Sequence, residues 1–324
     1  MPKPKHPDSE FIAVWKRLGS PELVSKELGL TIRQVYGRRN NLERRHGIIL
    51  PSYANDRTGR GSAEENLPKR GIRRETEIAG TVIVFSDAHF WPGMQSVAYK
   101  ALLTVIKDMK PSMVVCNGDA FDGARISRHD PIGWENRAYP LPRVPDEVEA
   151  VREAMDAIRV AYRGARHVWN LGNHDIRLAR YLAMNASEVE GLLGTSLDDH
   201  VRHWDIGWSL MLNGNTMIKH RYNNGVHATY NNTLKAGTSM VTGHLHRLNV
   251  TAWGDYNGRR YGVDTGTLLE IGPDVPQTFY AEDNPAPHGS GFAVLTYDKS
   301  GMLLPPELAE VINGKCYFRG QAVV

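Results

Sequence analysis

Cysteine is nearly absent from the 324-residue chain, with only Cys116 and Cys316. Two thiols so far apart cannot build a disulfide framework, and neither has the close neighbour that a zinc knuckle needs. Long hydrophobic runs are missing too. No stretch of about 18 apolar residues occurs and the mean hydropathy is −0.41, so no membrane span is expected. The first ten residues, MPKPKHPDSE, carry charge but no apolar core, so no secretory leader is expected. These absences favour a reducing, cytoplasmic setting. Net charge is also scarce, at +3. What is present suffices for folding: 41% hydrophobic residues exclude global disorder, and the length fits one large domain or two.

The small net charge hides a division. Residues 1–74 hold 16 Lys and Arg against 8 Asp and Glu, a charge of +8, whereas residues 75–324 carry −5. Such asymmetry points to two parts with different partners. In the front part, Ser20 followed by Pro21 is a helix start and Gly29 a helix stop. Leu23, Val24 and Leu28 stand between them at helical spacing. Thr31 caps a second helix over about 32–45, with Ile32, Val35 and Leu42 on its inner face. Phe11, Ile12, Val14, Trp15 and Leu18 predict an earlier helix that completes a small core. A short helix, a glycine turn and a second helix form a helix-turn-helix unit. Residues 10–47 resemble the helix-turn-helix modules of bacterial and phage DNA-binding proteins. Arg33, Gln34, Arg38, Arg39, Arg44 and Arg45 on the second helix have the chemistry that reads base edges and phosphates. A solvated basic tail and a helical protein-interaction module are the plainer alternatives. The organisation read here is a module over 1–50, a basic flexible linker over 51–76, and a catalytic domain over 77–324.

The body carries the chemistry. Residues 81–86, 113–117 and 167–171 are short apolar, β-branched runs that predict buried strands. Amphipathic helices over about 95–109 and 146–162 alternate with them, giving an α/β class. In such sheets ligands gather at the carboxyl ends of the strands. Those ends read Asp87-Ala88-His89, Gly118-Asp119 and Gly172-Asn173-His174-Asp175. Two later runs, 216–219 and 239–242, lead to His220 and to Gly243-His244-Leu245-His246. The donors Asp87, His89, Asp119, Asn173, His220, His244 and His246 are carboxylate, imidazole and amide oxygen, without a thiol. They suit two divalent ions sharing a carboxylate, Mn²⁺ first and Fe or Zn²⁺ next, rather than copper.

The order D-x-H, G-D-x-x-D, G-N-H-D, a lone His and G-H-x-H resembles the calcineurin-like metallophosphoesterase superfamily over about residues 78–270. The layout also resembles phage and prophage phosphoesterases. The resemblance implies a four-layer α/β/β/α sandwich with two facing sheets. It implies that Asp87, His89 and His246 hold one metal, Asn173, His220 and His244 the other, and that Asp119 bridges. His174 would face the leaving group and Asp175 would orient it. The corresponding chemistry is attack by a hydroxide formed between two metal ions, with His174 as general acid.

Departures from the family's protein phosphatases narrow the substrate. This chain has Gly123 and Leu171 where those enzymes carry phosphate-clamping arginines. Arg125, Arg128 and His129 are the substitutes considered, against an ordinary solvated loop. With the basic front, the leading expectation is a phosphodiesterase acting on nucleic acid, a DNA nuclease. The alternatives are a nucleotide or small-molecule phosphoesterase, and a DNA-binding regulator whose metal domain is silent. A homodimer is compatible with this picture and a membrane partner is not. The aromatic and proline-rich stretch 123–145 predicts an ordered flap, and the strand signals after 290 predict a tail that completes or covers the second sheet.

Overall fold

A computed structural model describes residues 6–46, 48, 50, 74–127, 141–189, 191–272 and 287–324. The chain divides into two compact units. The front one contains α1 (Asp8–Leu18), α2 (Pro21–Leu28) and α3 (Ile32–His46). Its boundaries follow local chemistry. The Ser20 hydroxyl accepts from Leu23 N at 3.4 Å, and Pro21 occupies a first-turn position where its missing N–H costs nothing. Gly29, at φ 60°, ends α2 in a conformation that a side chain would strain. Thr31 and Gln34 cap α3 reciprocally: Thr31 N donates to Gln34 Oε1 at 2.8 Å, and Gln34 N to Thr31 Oγ1 at 3.3 Å.

Phe11, Val14, Trp15, Val24, Leu28, Val35, Leu42 and Leu50 form the core of this unit. Ile32, expected inside, is 45% exposed. At about 100° per residue, the buried stripe of α3 runs through Val35 and Leu42, and Ile32 lies beside it at the open first turn. Arg38 and Arg39 flank the same stripe, which gives them an unexpected position. The Arg38 guanidinium lies over the Phe11 ring at 5.1 Å and that of Arg39 over Trp15 at 5.0 Å.

In the body, the described strands form two sheets. The larger has the order β14 (Gln321–Ala322), β13 (Lys315–Phe318), β12 (Glu307–Ile312), β11 (Gly291–Tyr297), β2 (Gly80–Phe85), β3 (Met113–Cys116), β4 (Arg166–Asn170) and β5 (Asp205–Gly207). The smaller has the order β1 (Arg74–Thr76), β6 (Ser209–Leu212), β7 (Thr216–Lys219), β8 (Ser239–Thr242), β10 (Gly258–Asp264) and β9 (Asn249–Asp255). Strands β2 to β5 are mutually parallel, as are β7, β8 and β10. The apolar runs lack alternation because both faces are covered. Val82, Val84, Met113, Val115 and Val168 point inward and meet Leu210, Leu212, Ile218, Val241 and Val263 of the other sheet. Ile83, Phe85, Val114 and Trp169 point outward against α4 (Val97–Met109) and α5 (Val144–Ala161). Across the smaller sheet, α8 (Ala228–Ala236) buries Ala228, Thr229, Asn232 and Thr233. The result is the four-layer α/β/β/α arrangement. The remaining described helices are α6 (Arg177–Asn185) and α7 (Leu197–His200).

Two expectations change. Arg74–Thr76, read as the end of the linker, is a strand parallel to β6, and Arg74 pairs with Asp205 at 3.2 Å. The tail does not complete the second sheet, since β11 pairs antiparallel with β2 in the sheet that carries the first three motifs; it does help cover it, with Ala293, Leu295 and Tyr297 in the core between the two sheets. Residues 51–73 of the linker and 128–140 of the flap lie outside the described residues. Among the described residues, no helix is long and apolar enough to cross a membrane.

Candidate metal centre

The parallel strands bring the separate motifs to one place. Asp87 and His89 follow β2, Asp119 follows β3, and Asn173 and His174 follow β4. From the facing sheet, His220 follows β7, and His244 and His246 follow β8. Each turn from strand to loop is abrupt. Asp87, His89, Asp119, His244 and His246 all have φ between 40° and 72°. Non-glycine residues seldom hold that conformation, and its cost is borne where surrounding structure over-determines it. The restraints are visible: Asp87 N donates to Gly118 O at 2.9 Å, His89 N to Asp119 O at 3.0 Å, and His244 N to Asp87 Oδ2 at 2.9 Å. The motif glycines are fixed by close approach. A Cβ on Gly172 would strike the Asp119 carboxylate, and one on Gly243 would strike Ser86 Oγ.

The donor atoms fall into overlapping groups within 4.8 Å: Asp87, His89 and His246; Asp119, His220 and His244; and His89, Asp119 and His174. Asp87 and Asp119 are almost wholly buried. His246 Nε2 approaches Asp87 Oδ1 to 3.1 Å, and His220 Nε2 approaches Asp119 Oδ2 to 3.0 Å. Burial alone would raise both carboxyls. The neighbouring imidazoles outweigh it, holding Asp87 at about 2 and Asp119 well below the ordinary range. Burial opposes protonation of His220, but Asp119 and Asp87 lift it to about 10. His244 is pushed down to about 4 by burial and then by the charge of His220. His220 Nδ1 is committed to Asn117 O at 2.8 Å, which aims Nε2 into the centre.

Asn173 Oδ1 tests whether this set fits a metal. It is buried and has no hydrogen-bond partner among the described residues. Such an orphan costs free energy unless something meets it, and a divalent cation does. Oxygen and imidazole donors without thiolate suit such ions. The residues therefore fit the expected group.

Around the donors, the structure reassigns one residue. Among the described residues, no hydrogen bond joins the Asp175 carboxylate to the His174 ring. Its Oδ2 accepts from Gly172 N at 2.8 Å, Asp119 N at 2.9 Å and Trp169 Nε1 at 3.2 Å, and its Oδ1 accepts from Phe121 N at 3.0 Å. Burial, followed by the Asp119 charge, raises it to about 6. It buttresses the Asp119 loop, because the turn after β4 sends side chains 174 and 175 in different directions. Asp122 holds His174 instead: Oδ1 lies 2.9 Å from Nδ1, and the Asp122 carbonyl 3.1 Å. The same oxygen is 3.4 Å from His89 Nδ1.

Two residues escaped the sequence reading. Arg177 donates to Asp122 O at 2.7 Å and places NH2 3.0 Å from His174 Nε2. Its spacing, one helical turn after His174, was the available signal. His288 lines the cavity of about 220 Å³ over the centre, together with His89, Asp119, Asp122, His174, His244, His246 and Leu269. No motif surrounds it in the sequence. Of the proposed phosphate contacts, Arg125 is turned to Leu141 O (2.6 Å) and Pro142 O (3.1 Å). Arg128 and His129 lie outside the described residues.

The six α3 residues also separate. Gln34 spends its side-chain carbonyl on the cap, Arg38 donates to Asp8 at 3.0 Å, and Arg39 donates to Glu43 at 3.1 Å. Arg45 lies 3.5 Å from Asp8, and Arg44 reaches Asn41. Arg33 and Arg44 stand on the face opposite Val35, at about 160–180° around the helix, and both are exposed.

A family model described as calcineurin-like phosphoesterase matches residues 80–268. The Gene 54 protein of Mycobacterium phage L5 is 27% identical over 259 residues, covering 72% of this chain and 94% of that protein. Its counterpart in Mycobacterium phage D29 is 27% identical over 261 residues, with the same coverage. A solved structure of YfcE, a phosphoesterase from E. coli, aligns with 70% of this chain and 97% of its own, at 14% identity and a TM-score of 0.33.

Proposed function

The chain belongs to the calcineurin-like phosphoesterase family, and from that premise we propose that it is a two-metal phosphodiesterase acting on nucleic acid, with DNA as substrate. The observation that carries the enzymatic part is the overlap of the donor groups at one cavity. Asp87, His89 and His246 would hold one divalent ion, Asn173, His220 and His244 the second, and Asp119 would serve both, with Mn²⁺ the favoured metal. When bound, two such ions neutralise phosphoryl oxygens and make water a nucleophile near neutral pH.

The chain's own residues supply the rest. Asp122 fixes the His174 ring through Nδ1, so Nε2 is the nitrogen that would protonate the departing oxygen, on exchanging its contact with the Arg177 guanidinium for substrate. Arg177 lies against that nitrogen. Asp175 acts one step back, by holding the backbone of the loop that presents Asp119. The nucleic-acid part rests on the basic front. Arg33 and Arg44 project from α3 without a role in the front core, as residues contacting phosphate would. A substrate panel with Mn²⁺ tests the reading: circular, linear and single-stranded DNA, RNA, cyclic nucleotides and a nitrophenyl phosphodiester. Cleavage of DNA is expected. Turnover of the nitrophenyl diester or cyclic nucleotides alone would remove the nucleic-acid substrate and leave the phosphodiesterase.

A further inference from the structure

The imidazoles around the cavity form an arc. Ring centroids are 4.7 Å apart for His174 and His89, 5.6 Å for His89 and His246, and 5.0 Å for His246 and His288. The inner pair shares a donor group with Asp87. The outer pair stands at the two ends. His174 is restrained on both nitrogens, by Asp122 and Arg177. His288 belongs to none of the donor groups, and among the described residues no hydrogen bond reaches its ring. It is half-buried and lines the cavity.

Its backbone is nevertheless well placed. The next residue, Gly289, donates to the carbonyl of His246 at 2.7 Å and accepts from Thr267 N at 3.0 Å. Ser290 Oγ then donates to Leu269 O at 2.7 Å. A ring held over the centre from an anchored strand start, with no partner among the described residues, has desolvation to recover. Ionised phosphoryl oxygens only accept hydrogen bonds, and imidazole offers an N–H in either protonation state.

We propose that His288 is a substrate-contacting residue that donates a hydrogen bond to a phosphoryl oxygen, from the end of the arc opposite His174. This rests on the phosphoesterase reading above. The test uses full-length, Mn²⁺-loaded protein with His288→Ala and His288→Gln. Metal content and Tm should match the parent. Inorganic phosphate, titrated by calorimetry, should bind about tenfold more weakly to the alanine variant, the size of one lost hydrogen bond to a charged group. KM for a nitrophenyl phosphodiester should rise similarly with kcat within about threefold, the pattern of lost binding common to ground and transition states, and the glutamine variant should recover part of both. Unchanged phosphate affinity would overturn the proposal, and so would a loss of metal, which would make His288 a ligand. If the parent turns over no phosphoester while phosphate binding still responds to His288, the failure lies in the activity and not in this contact.

Discussion

The front helices and the strand-end loops of the body use polar side chains in opposite ways. In the front, the α3 side chains disperse around a regular helix. Arg38 and Arg39 pack on aromatic rings, Gln34 caps, and only part of the basic set faces solvent. In the body, six of the expected donors from four separate segments converge, five of them on left-handed backbone, and the buried amide oxygen of Asn173 has no partner among the described residues. Dispersed charge is compatible with many partners. Convergent donors on strained backbone are costly unless a ligand repays them. The body therefore announces its chemistry by physical tension, whereas the front announces only an electrostatic preference.

The largest effect that would break this contrast is at Asp119. Asp119→Asn should lose metal and at least about 10³-fold of turnover together; full turnover with normal metal content would contradict a shared carboxylate. Next, His174→Gln should retain metal while kcat falls about 10²–10⁴-fold, as for a lost general acid; metal analysis beside steady-state kinetics separates the two effects.

The reassigned carboxylates give a finer cut. Asp122→Ala should lower kcat by about 10–100-fold, as loss of a histidine's orienting partner does. Asp175→Ala strands four buried N–H donors and should cost about 3 kcal/mol or more of stability, read by denaturant unfolding. If Asp175→Ala left stability intact while Asp122→Ala left kcat intact, the original pairing of Asp175 with His174 would regain its place.

The smallest effects concern the front. Arg33→Ala with Arg44→Ala should leave Tm unchanged and reduce the slope of log DNA affinity against log salt by about two. Arg38→Ala should instead destabilise the front helices by about 1 kcal/mol. Deleting residues 1–50 should spare nitrophenyl diester turnover and weaken DNA binding. DNA affinity unaltered by that deletion would end the helix-turn-helix reading.

Much of this was legible in the chain. The apolar runs ending in Asp87, Asp119 and Asn173 mark strands and their carboxyl ends, because a strand covered on both faces leaves no room for alternation. Ser20-Pro21, Gly29 and Thr31 mark helix ends, because capping is local chemistry. His288 was not legible, since it joins the cavity only when β11 inserts beside β2 and brings the preceding residues back to His246. Nor was the choice between Asp122 and Asp175 as partner of His174. Sequence adjacency favoured Asp175, but the turn after β4 aims it at the backbone of another loop.

The sequence alone thus determined the α/β alternation, the donor inventory and the charge division, since each depends on residue type and short spacing. The tertiary structure decided which carboxylate orients His174, that Arg38 and Arg39 serve the front core, and that Arg177 and His288 stand at the centre. Those facts depend on directions of side chains from segments distant in the chain, which only packing fixes.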